Sequence, residues 1–249
     1  LVNDHIVVTT GHASGAALAA FKIADGNSAW VRPWSDTIGY SSPALIEVAG
    51  QSQIVTYTGS HLRGVSMSGE DLWMHPYVTP YDCNIVTPLK IGSDLFISSG
   101  ENHGAALLGV EETAGRFQVK KRWTSHGTAS VLRNEWQTSI LVDGYLYGFD
   151  NVGGAGPITH LTCIEAATGK VAWQQTRFGK GNAMAADGKL FVSMMSGELI
   201  VIKISPEKYI ELGRQKLTQG SRQSPALSNG ILVLRDDESI VAVDVKQAK

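Results

Sequence analysis

One pattern recurs along the chain and limits its fold more than any other feature. Residues 20–30 (AFKIADGNSAW) and 163–173 (CIEAATGKVAW) both read small-x-x-apolar-x-[Thr/Asp]-Gly-x-x-x-Trp. A shortened copy spans 64–73, and a lengthened copy spans 107–123. A second landmark lies before other apolar runs, as Ser42-Pro43-Ala44-Leu45, Thr87-Pro88-Leu89, Thr138-Ser139-Ile140 and Ser224-Pro225-Ala226-Leu227. A third is a tight turn at Asn3-Asp4, Gly92-Ser93, Asp143-Gly144, Asp187-Gly188 and Asn229-Gly230. Asn-Gly and Asp-Gly favour primed turns because both central residues there need positive φ. Repeats at this spacing decide the architecture before any single element does.

The runs between the landmarks are strand-length and rich in β-branched and aromatic residues: Ile6-Val7-Val8-Thr9, Ile54-Val55-Thr56-Tyr57, Leu95-Phe96-Ile97, Tyr145-Leu146-Tyr147, Leu190-Phe191-Val192 and Ile231-Leu232-Val233-Leu234. No stretch shows a sustained helical period with caps. Each unit is therefore four short antiparallel strands. One such sheet cannot cover both of its faces, so the sheets must stack radially, as in a β-propeller. The predicted fold is all-β, one propeller domain over residues 1–249. A partial blade covers 1–34, blades follow at about 38–80, 84–124, 136–177 and 182–217, and a partial blade covers 223–245. The first unit lacks an inner strand and the last an outer one. The sequence thus reads as the C-terminal part of a seven- or eight-bladed ring, and its abrupt Leu1-Val2-Asn3-Asp4 start fits a processed or truncated piece.

Composition excludes several classes. A net charge of −2 offers no basic field for nucleic acid or an anionic membrane. The longest apolar runs, such as Leu199-Ile200-Val201-Ile202, cannot span a bilayer. Cys83 and Cys163 stand far apart, without metal spacing, and read as small hydrophobes.

Function is expected on loops. In a four-stranded blade the loop leading into the inner strand and the loop between strands two and three open on one face, around the mouth of the central channel. Loops on a rigid scaffold commonly carry binding groups. The candidate ligand- or partner-binding residues on these loops are Tyr40 and Ser41, then Tyr81, Asp82 and Asn84, then His103. Asn134, Glu135 and Trp136 follow, with Lys180, Asn182 and Arg222 beyond them. Tyr81, Trp136 and Arg222 are the expected anchors, being of the types enriched at binding hot spots. His12, His61 and His103 recur in related loops, but adjacent blades fan apart, so hydrogen-bonded loop histidines are expected rather than a zinc set. His5, His75, His126 and His160 show no partner pattern. The Gly-rich stretch 152–157 reads as a hairpin loop, not a phosphate cradle. Asp236-Asp237-Glu238 reads as a solvated turn.

The pattern Ala-x-Asp-x-x-Thr-Gly-x-x-x-Trp resembles the pyrroloquinoline-quinone-like (PQQ-like) propeller repeat. Residues 163–173 and 20–30 carry it, and Val241-Ala242-Val243-Asp244 its opening half. Within that superfamily the chain is similar to the BamB family. The resemblance implies structural roles for Trp30, Trp73, Trp123 and Trp173, each docking on the neighbouring blade. It also implies a periplasmic or otherwise exported bacterial protein that binds a protein or peptide partner. No catalytic residue, metal or cofactor is expected, no nucleic acid, and no membrane span, although a missing N-terminus could supply membrane association. The alternative is a quinoprotein alcohol dehydrogenase-like enzyme, with PQQ and calcium, or a small-ligand binder at the channel mouth. Against the enzyme, quinone dehydrogenases resemble one another in a vicinal Cys-Cys pair that this chain lacks.

Overall fold

The computed structural model describes residues 1–154 and 157–246. These form six antiparallel sheets in chain order. The first holds β1 (His5–His12), β2 (Gly15–Lys22) and β3 (Ser28–Pro33). The second holds β4 (Ala44–Val48), β5 (Gln51–Tyr57), β6 (His61–Val65) and β7 (Asp71–Pro76). The third runs through β8 (Leu89–Ile91), β9 (Asp94–Ser99), β10 (Gly104–Thr113) and β11 (Arg116–His126). The fourth contains β12 (Ile140–Val142), β13 (Tyr145–Val152), β14 (Ile158–Glu165) and β15 (Val171–Gln175). The fifth contains β16 (Gly181–Ala186), β17 (Lys189–Met194), β18 (Glu198–Lys203) and β19 (Glu211–Lys216). The sixth closes with β20 (Ala226–Ser228), β21 (Ile231–Arg235) and β22 (Ile240–Asp244). Every strand pairs with its chain neighbour, so each sheet is a meander.

The turns follow the dipeptides. Both residues of Asp143-Gly144, Asp187-Gly188 and Asn229-Gly230 have positive φ, whereas only the first does at Asn3 and Gly92. The sheets stack because successive side chains of a strand point to opposite faces and both faces are apolar. In β9, Leu95 and Ile97 enter a cluster with the second sheet's Val55, Tyr57 and Leu62. Phe96, between them, enters a cluster with Leu146 and Ile164 of the fourth sheet. The five clusters each join one pair of successive sheets, first to second through fifth to sixth. That is the radial packing of a partial propeller.

The repeat tryptophans bind these layers. Trp123 donates from Nε1 to the Ala166 carbonyl of the next sheet at 3.0 Å, and Trp173 to Ser205 at 2.8 Å. Trp30 lies on Gly69 and Trp123 on Gly169, the glycines of the outer turns. Both glycines have positive φ, and a Cβ there would meet the indole at under 3.0 Å, so the repeat requires glycine for two reasons. Trp73 differs. It joins the cluster shared with the third sheet, but its Nε1 donates to Gln53 of its own sheet at 2.7 Å.

Candidate functional site

The loops leading into β8, β12, β16 and β20 meet at one end of the stack. They enclose a recess of about 260 Å³ lined by Cys83, Ile85, Glu135, Trp136, Lys180 and Arg222, with Gly100 and Glu101 from the β9–β10 loop. Chain order alone dictates this convergence, since each of these loops leaves an outer strand and returns to the inner edge of the next sheet.

Trp136 is the centre. Lys180 Nζ lies 5.1 Å and Arg222 Cζ 5.2 Å from its ring centroid, within cation–π range. Lys180 also bonds Glu135 Oε2 at 2.8 Å. The second carboxylate oxygen of Glu135, Trp136 Nε1 and both side-chain polar atoms of Gln137 are buried without a hydrogen-bond partner among the described residues. Such groups are normally satisfied by ordered water or a bound group. The Cys83 thiol on the same wall is pushed up in pKa by burial, then by Glu101, Asp82 and Glu135, so it stays protonated and a poor nucleophile.

The remaining candidates divide by what their side chains do. Tyr81 and Tyr40 stand out from their loops, 82% and 69% exposed. The two loops are tied together where the Tyr40 N–H donates to the Asn84 carbonyl at 2.9 Å. Tyr81 and Asp82 both adopt positive φ, at the tightest point of the turn. Asn84 is fully buried and is a brace. Its Nδ2 donates to the carbonyls of Thr58, Gly59 and Tyr77, and its Oδ1 accepts from Thr79 and Ser99. Asn134 repeats the device one sheet later, donating to Phe149 and accepting from Ser139. Asn182 donates to the Arg222 carbonyl at 2.7 Å, which positions the loop carrying that arginine. Ser41 is buried, donates to the Val86 carbonyl and, with Tyr40, lines a separate recess beside β1. His103 sits away from the mouth, in a groove between sheets.

Beneath the loops lie two buried ion pairs. Arg63 bonds both oxygens of Asp36 at 2.7 Å, and Arg133 bonds those of Asp150 at 2.6 and 2.7 Å. Burial acts to raise the Asp36 pKa, but Arg63, Thr58 and His61 outweigh it and hold the carboxyl below its ordinary value. His12 and His61 bond neighbouring serines, as expected of loop histidines. Asp236 differs from the solvated turn expected. It is buried and accepts from the backbones of Gln219, Glu238 and Ser239, clipping the loop before β20 to the β21–β22 turn. Residues 155 and 156 of the Gly-rich 152–157 segment lie outside the described residues. Among the described residues no group of three or more His, Cys, Asp or Glu side chains is placed to hold a metal ion.

Comparisons bear on this arrangement. A family model described as outer membrane protein assembly factor BamB matches residues 1–175 and 158–249. No curated protein matches the chain. Among solved structures, BamB from Moraxella catarrhalis superposes with a TM-score of 0.55 at 16% identity, over 96% of this chain and 78% of that one. The quinohemoprotein alcohol dehydrogenase from Comamonas testosteroni gives a TM-score of 0.61 at 12% identity, over 88% of this chain but 42% of that one. A computationally designed protein, Ika8, gives 0.50 at 11% identity, over 96% and 80%. At these identities the structural likenesses show the fold alone.

Proposed function

Since the chain belongs to the family of outer membrane protein assembly factor BamB, we propose that it is a non-catalytic propeller of the bacterial cell envelope whose mouth face holds a protein or peptide partner. The observation that carries this reading is the construction of that face. Loops from four successive sheets surround Trp136, and exposed Tyr40 and Tyr81 stand on two adjoining loops. Asn84, Asn134 and Asn182 brace these loops from beneath. Aromatic and arginine side chains on a preorganised surface are what protein recognition uses, because little entropy is lost when a partner docks.

The quinone alternative finds less support. PQQ would need a bare aromatic floor, and the Trp136 ring already has Lys180 and Arg222 over it. Cys83 and Cys163 are separate free thiols, not a vicinal pair. The test sets the two readings against each other. Alanine at Tyr81, Trp136 or Arg222 should weaken binding to an outer-membrane assembly protein. PQQ with calcium should give no saturable absorbance change and no dye reduction. A saturable quinone signal lost in the Trp136→Ala variant would overturn the proposal.

A further inference from the structure

A second concavity, of about 360 Å³, lies between the outer strands β7 and β11 and shares no lining residue with the mouth. His75, Tyr77, His103, Lys121 and His126 surround it, over a floor that includes Ala106 and Leu108. His103 and His126 are 4.5 Å apart by ring centroids, and Tyr77 packs edge-on to His103 at 4.8 Å. The Tyr77 hydroxyl is committed to the Gly104 carbonyl. His103 Nε2 is buried with no hydrogen-bond partner among the described residues.

The equivalent groove one sheet earlier explains the opening. The pairs β6–β7 and β10–β11 carry the same bulge, so their registers align on the tryptophans. Asp71 faces Val65 and Met74 faces Arg63; at the matching places Lys121 faces Leu108 and Thr124 faces Ala106. The preceding strands align too, as Trp30-x-Arg32-x-Trp34 and Trp73-x-His75-x-Tyr77. In the earlier groove Arg32 meets the Asp71 carboxylate at 2.6 Å, Trp34 Nε1 donates to it, and Arg63 fills the space over Trp34 at 4.8 Å. In the later groove an imidazole, His75, stands where Arg32 stood, and the aromatic is kept as Tyr77. The facing acid has become Lys121, and the filling arginine has become Ala106. Two basic groups therefore face each other across an unfilled volume. No carboxylate lines it, and Lys121 makes no ion pair among the described residues.

We propose that this groove binds a small organic acid, whose carboxylate stands between His75 and Lys121 as Asp71 does beside Arg32, and whose carbon body lies on Ala106 and Leu108. The chemistry is that of a carboxylate with an apolar body, because the floor is aliphatic and the wall donates hydrogen bonds. Titratable groups facing the site are His75, His103, His126, Tyr77 and Lys121, with His61 behind His75. Burial first, and then Lys121, hold His75 and His126 below the ordinary histidine value. Burial and then His126 bring His103 to about 4. A bound carboxylate favours the protonated rings, so binding strengthens as pH falls. Nothing here depends on partner binding at the mouth.

The test follows the imidazole resonances of the full chain during titration with benzoate, at about pH 5.5 and about pH 7.5. Benzyl alcohol and inorganic phosphate serve as probes lacking the charge and the carbon body. Benzoate should shift His75, His103 and His126 saturably, with tighter binding at the lower pH, and both other probes should bind about tenfold more weakly or less. Lys121→Glu should lose about tenfold in benzoate affinity while its melting temperature holds, since Lys121 is exposed. Lys121→Met should show the same direction. Benzyl alcohol or phosphate binding as tightly as benzoate would overturn the proposal. So would unshifted imidazoles, or an affinity unchanged in both variants.

Discussion

The Trp123 indole donates to the carbonyl of Ala166 on the next sheet and rests its six-membered ring on Gly169. One contact thus joins the tryptophan of one repeat to the Thr-Gly turn of the following one. Trp123→Ala should cost about 3 kcal/mol, the low end for a large aromatic because the ring is half-buried. Gly169→Ala should cost about 2–4 kcal/mol, combining a left-handed backbone with overpacking against the indole. Denaturant melts of both variants check this, and a loss below about 1 kcal/mol in Gly169→Ala, no larger than a surface change gives, would deny the contact its role.

The Asp36–Arg63 pair should act through its partner. Asp36→Ala leaves a buried guanidinium uncompensated and should destabilise by about 3–5 kcal/mol. Replacing both residues, as Asp36→Leu with Arg63→Met, should recover most of that loss. Equal melting temperatures for the single and double variants would contradict the pairing.

Stability should fall with acid before the carboxylates titrate. The folded pKa of His103, about 4, lies below its ordinary 6.5, so the unfolded chain takes up the proton first as pH drops. The contribution is fully present above about 6.5 and is lost progressively down to about 4. His75 and His126 act in the same direction. His103→Phe should flatten this part of the melting-temperature profile, measured by calorimetry across that range.

The mouth and its braces should separate by assay. Alanine at Tyr81, Trp136 or Arg222 should weaken partner binding by at least about 1 kcal/mol each with little change in melting. Asn84→Ala removes five hydrogen bonds from buried groups and should destabilise by at least about 2 kcal/mol. Titration calorimetry and thermal melts on the same four variants check the division.

The sheets were legible because their signals are local. Asp187-Gly188 needs its own backbone angles, and Leu95-Phe96-Ile97 is apolar on both faces because two neighbouring sheets must be covered. The convergence of Glu135, Trp136, Lys180 and Arg222 was also legible, since it follows from strand order. Side-chain direction within a loop was not. Asn84 and Asp82 sit two residues apart, yet one points into the fold and takes five bonds while the other lies at the turn's rim. The histidine groove was hidden for another reason. His75 and His126 belong to different sheets, and strict alternation would put Lys121 and Thr124 on opposite faces of β11, whereas the bulge at Leu107/Leu108 brings both to one. Aligning the repeats through that bulge would have shown Lys121 where the preceding sheet carries Asp71.

The mouth face is proposed to hold a protein partner of outer-membrane assembly. Site-specific photocrosslinking in the cell envelope probes this contact, with the reactive residue placed at Tyr81 or Arg222 on the mouth, or at Val171 or Leu212 on exposed outer strands. Both mouth positions should give one discrete adduct with the same outer-membrane assembly protein, and the outer-strand positions none. Adducts from Val171 or Leu212 alone, with Tyr81 and Arg222 silent, would overturn the assignment.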